Sequence, residues 1–213
     1  MREQGIAPIK PFLTGRTLAA LRAEVGTLLT RVPEHGEQLP YSSGAATAIG
    51  RRHLNDDFPA LAEFFSADWM RTIAEEFFAA EDYSFNHDVI AVKDLPGTTH
   101  AARTPHYDRT PNLKFFLYLS DVGSDNGPFA CLPGSHLHAK RVEDRRRRER
   151  VLPRQDETRE LPGELTSGLL PVLGPAGTLL VIDSDVIHRG LPVIDGFRLA
   201  VRGRSYAPEY APR

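Results

Sequence analysis

From residue 83 onward, the apolar residues of the chain fall into short blocks separated by turn formers. "YSFNHDVIAV", "LKFFLYL", "PFACL", "TLLVID" and "RLAVRGRSY" read as strands, most of them rich in β-branched or aromatic residues. The segments between them, "DLPGTT", "DVGSDNGP", "LPGS", "LGPAG" and "IDG", carry the Gly, Pro, Asn and Asp that tight turns require. The N-terminal third has a helical period instead. "TGRTLAALRAEVGTLLTRV" sets Leu18, Leu21, Val25, Leu28 and Leu29 on one face, with Thr14 or Thr17 placed to cap it. A second helical region follows Pro59, in "ALAEFFSADWMRTIAEEFFAA", with Ser66 as an internal cap. Between them "LPYSSGAATAIGRRHLNDDFP" reads as a loop. The expectation is a mainly β fold with N-terminal helices: a helical layer over residues 1–82 bracing a jelly roll over 83–206, in one domain of 1–213.

Composition narrows the classes. A net charge of −2 supplies no global field towards nucleic acid or membrane. The lone Cys131 cannot form an internal disulfide, and its apolar setting suits a buried, inert thiol in a reducing compartment. The N-terminus shows no apolar leader, and no stretch approaches the roughly 18 apolar residues of a membrane span, so the sequence reads as cytoplasmic. One segment stands apart, the arginine-rich run Arg141–Arg154. Its i,i+4 pairs Glu143–Arg147 and Asp144–Arg148 suit a short exposed helix, and a basic lid over a site for an anionic substrate is the functional alternative.

The candidate chemistry begins at "TPHYDRTPNLKFFLYLS". Residues i and i+2 of an extended segment point to the same face, so His106 and Asp108 converge while Tyr107 turns away. An imidazole and a carboxylate on one point are the start of a metal site, which needs a third ligand. Among the eight histidines, His35 sits with Glu37 in a Pro/Gly loop, His136 and His138 follow a tight turn, and His53 and His100 lack a useful neighbour. His188 closes "TLLVIDSDVIHRG", an apolar strand, a turn and a short strand. Ten residues on, Arg198 opens the apolar "FRLAV", and an arginine there demands an anionic partner. Asp195 is the nearby acid in sequence but lies in a turn with Gly196, so a ligand carboxylate becomes the candidate anion. A tight hairpin at 195–196 would leave Arg198 about 16 Å along the strand from His188. The connection is therefore expected to cross to the facing sheet. Two histidines and one carboxylate leave three octahedral positions for a 2-oxo acid and O₂, the facial triad of non-haem Fe(II) oxygenases. Zinc accepts similar ligands; the additional arginine favours iron with 2-oxoglutarate.

"PHYD", "LKFFLYLSDVGSDNGPFACLPGSH", "GPAGTLLVIDSDVIHRG" and "FRLAV" together resemble the phytanoyl-CoA dioxygenase-like branch of the Fe(II)/2-oxoglutarate-dependent oxygenases, over about residues 83–206. The resemblance implies a double-stranded β-helix (a cupin-like jelly roll), metal ligands His106, Asp108 and His188, and Arg198 on the far carboxylate of 2-oxoglutarate. It further suggests a polar co-substrate contact upstream of H-x-D, for which Asn86, His87 and Lys93 are candidates, with Lys114 and Thr178 as pocket candidates. The expected activity is oxidation, foremost hydroxylation, of a small-molecule metabolite, with succinate and CO₂ as co-products and no nucleic-acid or membrane partner. A non-catalytic ligand-binding jelly roll and a metal-dependent isomerase or hydrolase on a similar barrel are the competing readings. Neither of them needs Arg198.

Overall fold

The computed structural model describes residues 1–30, 37–38, 45–54, 57–79, 82–98, 103–108, 110–137, 163 and 167–210. His35, His100, His138 and the Arg141–Arg154 run lie outside the described residues. Among the described residues, ten strands form two antiparallel sheets. In chain order they are β1 (Ile6–Ile9), β2 (Glu37–Gln38), β3 (Ala45–Gly50), β4 (Ser84–Asp94), β5 (Leu113–Tyr118), β6 (Phe129–Leu132), β7 (Leu170–Val172), β8 (Leu179–Asp183), β9 (Ile187–Gly190) and β10 (Arg198–Tyr206). The larger sheet runs β1-β8-β5-β10-β4-β3-β2 and the smaller β7-β6-β9. The five strand blocks read from the sequence correspond to β4, β5, β6, β8 and β10. The jelly roll is therefore the one the turn pattern implied.

β5 shows why "LKFFLY" is buried at every position. Its odd residues, Leu113, Phe115 and Leu117, pack into a core shared with the helices, and its even residues Phe116 and Tyr118 into the core between the sheets. A strand covered on both faces loses the apolar–polar alternation of a solvated sheet. Lys114 breaks the apolar run on the even, inter-sheet side.

Three helices cover the outer face: α1 (Gly15–Thr30), α2 (Pro59–Phe64) and α3 (Asp68–Phe78). Leu18, Leu21, Val25 and Leu28 of α1 are buried, as the period implied, with Leu29 partly buried beside them. The Glu24 carboxylate accepts from the backbone N–H of Ala60 and Leu61, each at 2.8 Å, satisfying the open N-terminus of α2 from a neighbouring helix.

Three expectations need correction. Residues 1–82 are not only a helical layer: they supply β1, which pairs with β8, and β2 and β3, which extend the sheet beyond β4. Ala45–Gly50, inside the segment read as a loop, is a strand, because small residues there pair along the Asp88–Lys93 edge of β4. Ser66 does not cap α3. Its hydroxyl donates to Ala62 O, and the residue before α3, Ala67, makes no side-chain cap. Among the described residues no helix is long and apolar enough to cross a membrane.

Candidate metal and co-substrate site

The H-x-D segment is not part of a regular strand. A single antiparallel bridge ties it to β9 instead: His106 N–H donates to His188 O (3.0 Å) and His188 N–H to His106 O (2.7 Å). Two residues on, Asp108 N–H donates to Ser184 O at 3.0 Å. These backbone bonds put the three polar side chains on one side, and Tyr107 on the other, buried with Ile187. The i, i+2 reading of His106 and Asp108 holds through this bridge, although the segment is not a strand.

His106, Asp108 and His188 each offer a ligand atom, and the three atoms lie within 4.8 Å of one another. Each imidazole is oriented from behind. His106 Nδ1 lies 2.7 Å from Thr104 O and His188 Nδ1 lies 2.7 Å from Val186 O. A carbonyl can only accept, so both Nδ1 atoms carry hydrogen and both Nε2 lone pairs face the centre. The Nε2 atoms sit 3.8 Å and 3.4 Å from Asp108 Oδ1. The other carboxylate oxygen, Oδ2, is taken by two donors, Lys114 Nζ at 2.7 Å and Asn112 Nδ2 at 2.8 Å. The phenyl ring of Phe129 stacks on His188, centroids 5.2 Å apart. Outer partners that fix a ligand's tautomer and direction in this way are the usual support of a metal site.

The electrostatics agree with the geometry. Burial, then neighbouring His188, lowers His106 to about 4, and burial with the Lys114 charge lowers His188. Both imidazoles are therefore neutral near pH 7, the form that binds a metal. Burial alone would raise Asp108, but the Lys114 ammonium and His188 outweigh it and hold the carboxyl well below the usual carboxylate range. Burial lowers Lys114 to about 8 against the opposing pull of Asp108, with the field of Arg202 adding to the depression. Two neutral imidazoles and an ionised carboxylate fit a divalent first-row metal.

The site opens into a cavity of about 680 Å³ whose wall includes Arg103, Lys114, Arg198, Arg202 and Arg204. β9 lies in the smaller sheet and β10 in the larger, so the 191–197 connection crosses between sheets as expected, and no hairpin carries Arg198 away. A Cβ on Gly190 would lie 3.5 Å from Arg198 Nη2. Gly190 is two residues, about 7 Å, beyond His188 on the same face of β9. The guanidinium thus stands within reach of a short diacid held at the triad.

The argument that Arg198 lacks a protein anion is corrected here. Arg198 pairs with Asp94, its direct cross-strand partner on β4, through Nε and Nη2, and its Nη1 donates to Gly127 O. A second such pair, Arg204 with Asp88, lies further along β10.

Four other candidates are not brought to the cavity. Asn86 points to the helical side: its amide donates to Phe65 O at 2.8 Å and its backbone adopts φ +42° against Gly203. Thr178 is buried, donating to Pro175 O in the β7–β8 turn. Lys93 is exposed, its ammonium 5.7 Å from the Phe197 ring. His87 faces Tyr206 edge-on and is absent from the cavity wall. The three candidates on β4 thus take different settings, Asn86 against the helices, His87 against Tyr206 and Lys93 in solvent. Of the pocket candidates, Lys114 is in the site. The Asn86 assignment is testable. Asn86→Ala should cost about 1–3 kcal/mol of stability through the lost buried hydrogen bond, read by urea denaturation. Its 2-oxoglutarate affinity should match the parent protein's in calorimetry, and a selective loss of that affinity would return Asn86 to the site.

Two further histidines set aside as ligands are absent from the cavity wall. His136 is buried, and its Nε2 donates to Arg2 O at 3.0 Å, tying the β6 turn to the N-terminus; His53 lies in the 3₁₀ turn Arg51–His53. Cys131 is buried between the sheets, and burial pushes its thiol up to about 11. Asn112, whose role depends on contacts with Asp108 and Ser184, carries no local signal in the sequence.

The family model for phytanoyl-CoA dioxygenase (PhyH) matches residues 1–196. Among solved structures, the chain is similar to the non-haem α-ketoglutarate-dependent carbocyclase SnoK from nogalamycin biosynthesis, at 19% identity and TM-score 0.70, covering 97% of this chain and 83% of that one. It is also similar to the epimerase SnoN, solved in complex with Fe³⁺, α-ketoglutarate and nogalamycin RO, at 19% identity and TM-score 0.69, covering 99% and 83%. AviO1 from Streptomyces viridochromogenes Tue57 matches at 20% identity and TM-score 0.65, covering 99% and 93%. At these identities the likeness bears on the fold. A comparison with curated proteins gives no match.

Proposed function

The chain belongs to the phytanoyl-CoA dioxygenase family, whose enzymes use Fe(II) and 2-oxoglutarate, and on that premise we propose that it hydroxylates a small-molecule metabolite at the site built by His106, Asp108 and His188. The observation that carries the proposal is the convergence of two Nε2 lone pairs and Asp108 Oδ1, each held from behind by a separate hydrogen bond. Bound iron supplies the O₂ activation that couples decarboxylation of 2-oxoglutarate to succinate and CO₂ with transfer of one oxygen atom into a substrate C–H bond.

The protein's own residues do the rest. His106, Asp108 and His188 hold the metal. Lys114 and Asn112 occupy Asp108 Oδ2, which directs Oδ1 to the centre and keeps the carboxylate ionised. Arg198, oriented by Asp94 and Gly127, receives the distal carboxylate of the co-substrate. Phe129 and Phe116 line the same cavity and limit water around the triad.

Asp108 also bears on the outcome of the reaction. A carboxylate at this position occupies a coordination site and adds negative charge, so a halide is excluded by both space and sign. The test is a screen for substrate-stimulated succinate release, followed by mass spectrometry of the product formed under isotopically labelled O₂ in chloride buffer. The expected product gains one labelled oxygen and no chlorine. A chlorinated product overturns the role given to Asp108. Loss of two hydrogens replaces hydroxylation by another oxidation, and an unchanged mass with inverted configuration replaces it by epimerisation, while either leaves the 2-oxoglutarate dependence in place.

A further inference from the structure

Lys114 brings a positive charge to the centre that the triad offers to a metal cation. It is buried in the larger sheet, and β5 is paired on both sides there, with Arg204 of β10 and Ile182 of β8 directly across from it. Its Nζ donates to Asp108 Oδ2 at 2.7 Å and lies 3.2 Å from His188 Nε2. An ammonium can only donate, and the His188 Nδ1–H is turned to Val186 O, so this contact uses the Nε2 lone pair that a metal would take. Binding of a metal by His188 therefore ends that hydrogen bond without removing the charge. The backbone of Lys114 is fixed by its two neighbouring strands, and the side chain across β10 is another cation, Arg204, paired with Asp88. Lys114, at about 8, stays an ammonium at pH 7, and its ion pair with Asp108 holds it where it is. Orienting Asp108 does not by itself call for this charge. Asn112 Nδ2 already donates to the same Oδ2 at 2.8 Å, and a neutral donor in place of Lys114 would do as much. A cation beside a metal opposes its binding, and the repulsion grows in proportion to the metal's own charge. It therefore falls more heavily on a trivalent ion than on a divalent one.

We propose that Lys114 biases the oxidation state of the bound metal: its fixed charge, held against two of the three ligands, keeps iron ferrous. Loss of one electron from iron to O₂, giving superoxide, would raise the charge beside the ammonium from two to three. The ammonium makes that step less favourable, so iron waiting in the site is preserved in the state the reaction needs. Metal affinity is reduced in return, since the same charge also repels Fe(II). Asn112 and Lys114 then divide the work on Asp108 Oδ2, Asn112 giving direction and Lys114 giving charge. This inference rests on the metal-site reading, and the test separates the two.

The full chain is loaded anaerobically with Fe(II), without 2-oxoglutarate, and its Fe(III)/Fe(II) potential is measured by mediated redox titration followed by electron paramagnetic resonance. Two variants are compared with the parent. Lys114→Gln keeps a donor for Asp108 Oδ2 and loses the charge; Lys114→Met loses both. Each should favour Fe(III) over Fe(II) by at least about tenfold more than the parent, a potential lower by about 59 mV or more. Calorimetry with Mn(II) gives a second readout, in which Lys114→Gln should bind at least as tightly as the parent. Because the potential is read from bound iron, a fraction of unfolded protein does not mimic the shift. A Lys114→Gln potential equal to or above the parent's overturns the inference. With weakened Mn(II) binding, that result is the pattern of a residue that only props Asp108. A parent protein that binds neither Fe(II) nor Mn(II) overturns the metal-site reading itself, and this inference with it.

Discussion

Alanine at position 106 or 188 removes turnover and weakens Fe(II) binding by more than about 100-fold, beyond the 10–100-fold that loss of an outer-shell partner usually costs. The expectation follows from the orientation of the two rings. Each Nδ1–H is spent on a local carbonyl, so each Nε2 faces the centre beside Asp108 Oδ1, that of His188 also lying 3.2 Å from Lys114 Nζ. Alanine deletes one of three donors and leaves the Asp108 charge without a cation beyond Lys114. His136→Ala provides the contrast. Its ring is buried at the N-terminal tie and should alter stability while leaving Fe(II) affinity within about twofold. Calorimetric or competition titration of the purified variants distinguishes the two classes, and a metal site that survives His188→Ala but not His136→Ala would show that other histidines hold the metal.

Arg198→Ala should raise the 2-oxoglutarate requirement by about 100-fold or more, since removing one member of a buried ion pair costs about 3–5 kcal/mol. Two effects add here. The co-substrate loses its carboxylate partner, and Asp94, a nearly fully buried acid on β4, loses its counter-charge and presents a negative group to an anionic ligand. The double change Arg198→Ala with Asp94→Ala removes the second effect and should recover part of the affinity. A saturation curve for succinate formation, measured for both variants, checks this. An unchanged half-saturation concentration in Arg198→Ala would take the residue out of the co-substrate site.

How much of this was legible in the sequence depended on whether a feature is local. Periodicity revealed the face of α1, and turn formers delimited five of the strands, because both signals sit within ten or so residues. His106 and Asp108 were readable as a pair for the same reason. His188 was readable only because a strand, a turn and a second strand led up to it. β1 and β3 were not legible: "IAPI" and "AATAIG" carry weak strand signals and are extended because β8 and β4 offer open edges to pair with. The partner of Arg198 was hidden by distance. Asp94 lies opposite it through the register of β4 and β10, and no local spacing reports a register set across 104 residues. Asn86 and Lys93 were misjudged for a related reason. They share a strand with Asp94, but Asn86, at φ +42°, faces the helical side and Lys93 lies exposed beside Phe197. Lys114 was the opposite case, a single polar residue in an otherwise apolar strand, and that interruption is the signature of a buried charge with a partner.

The most direct test of the central claim is an anaerobic optical titration of the Fe(II)-loaded protein with 2-oxoglutarate. The account predicts a weak, saturable metal-to-ligand charge-transfer band in the parent protein. The band should be lost in His106→Ala and His188→Ala, and shifted to much higher 2-oxoglutarate concentration in Arg198→Ala. Tight Fe(II) binding without any band, or a band that persists unchanged in both histidine variants, would contradict it.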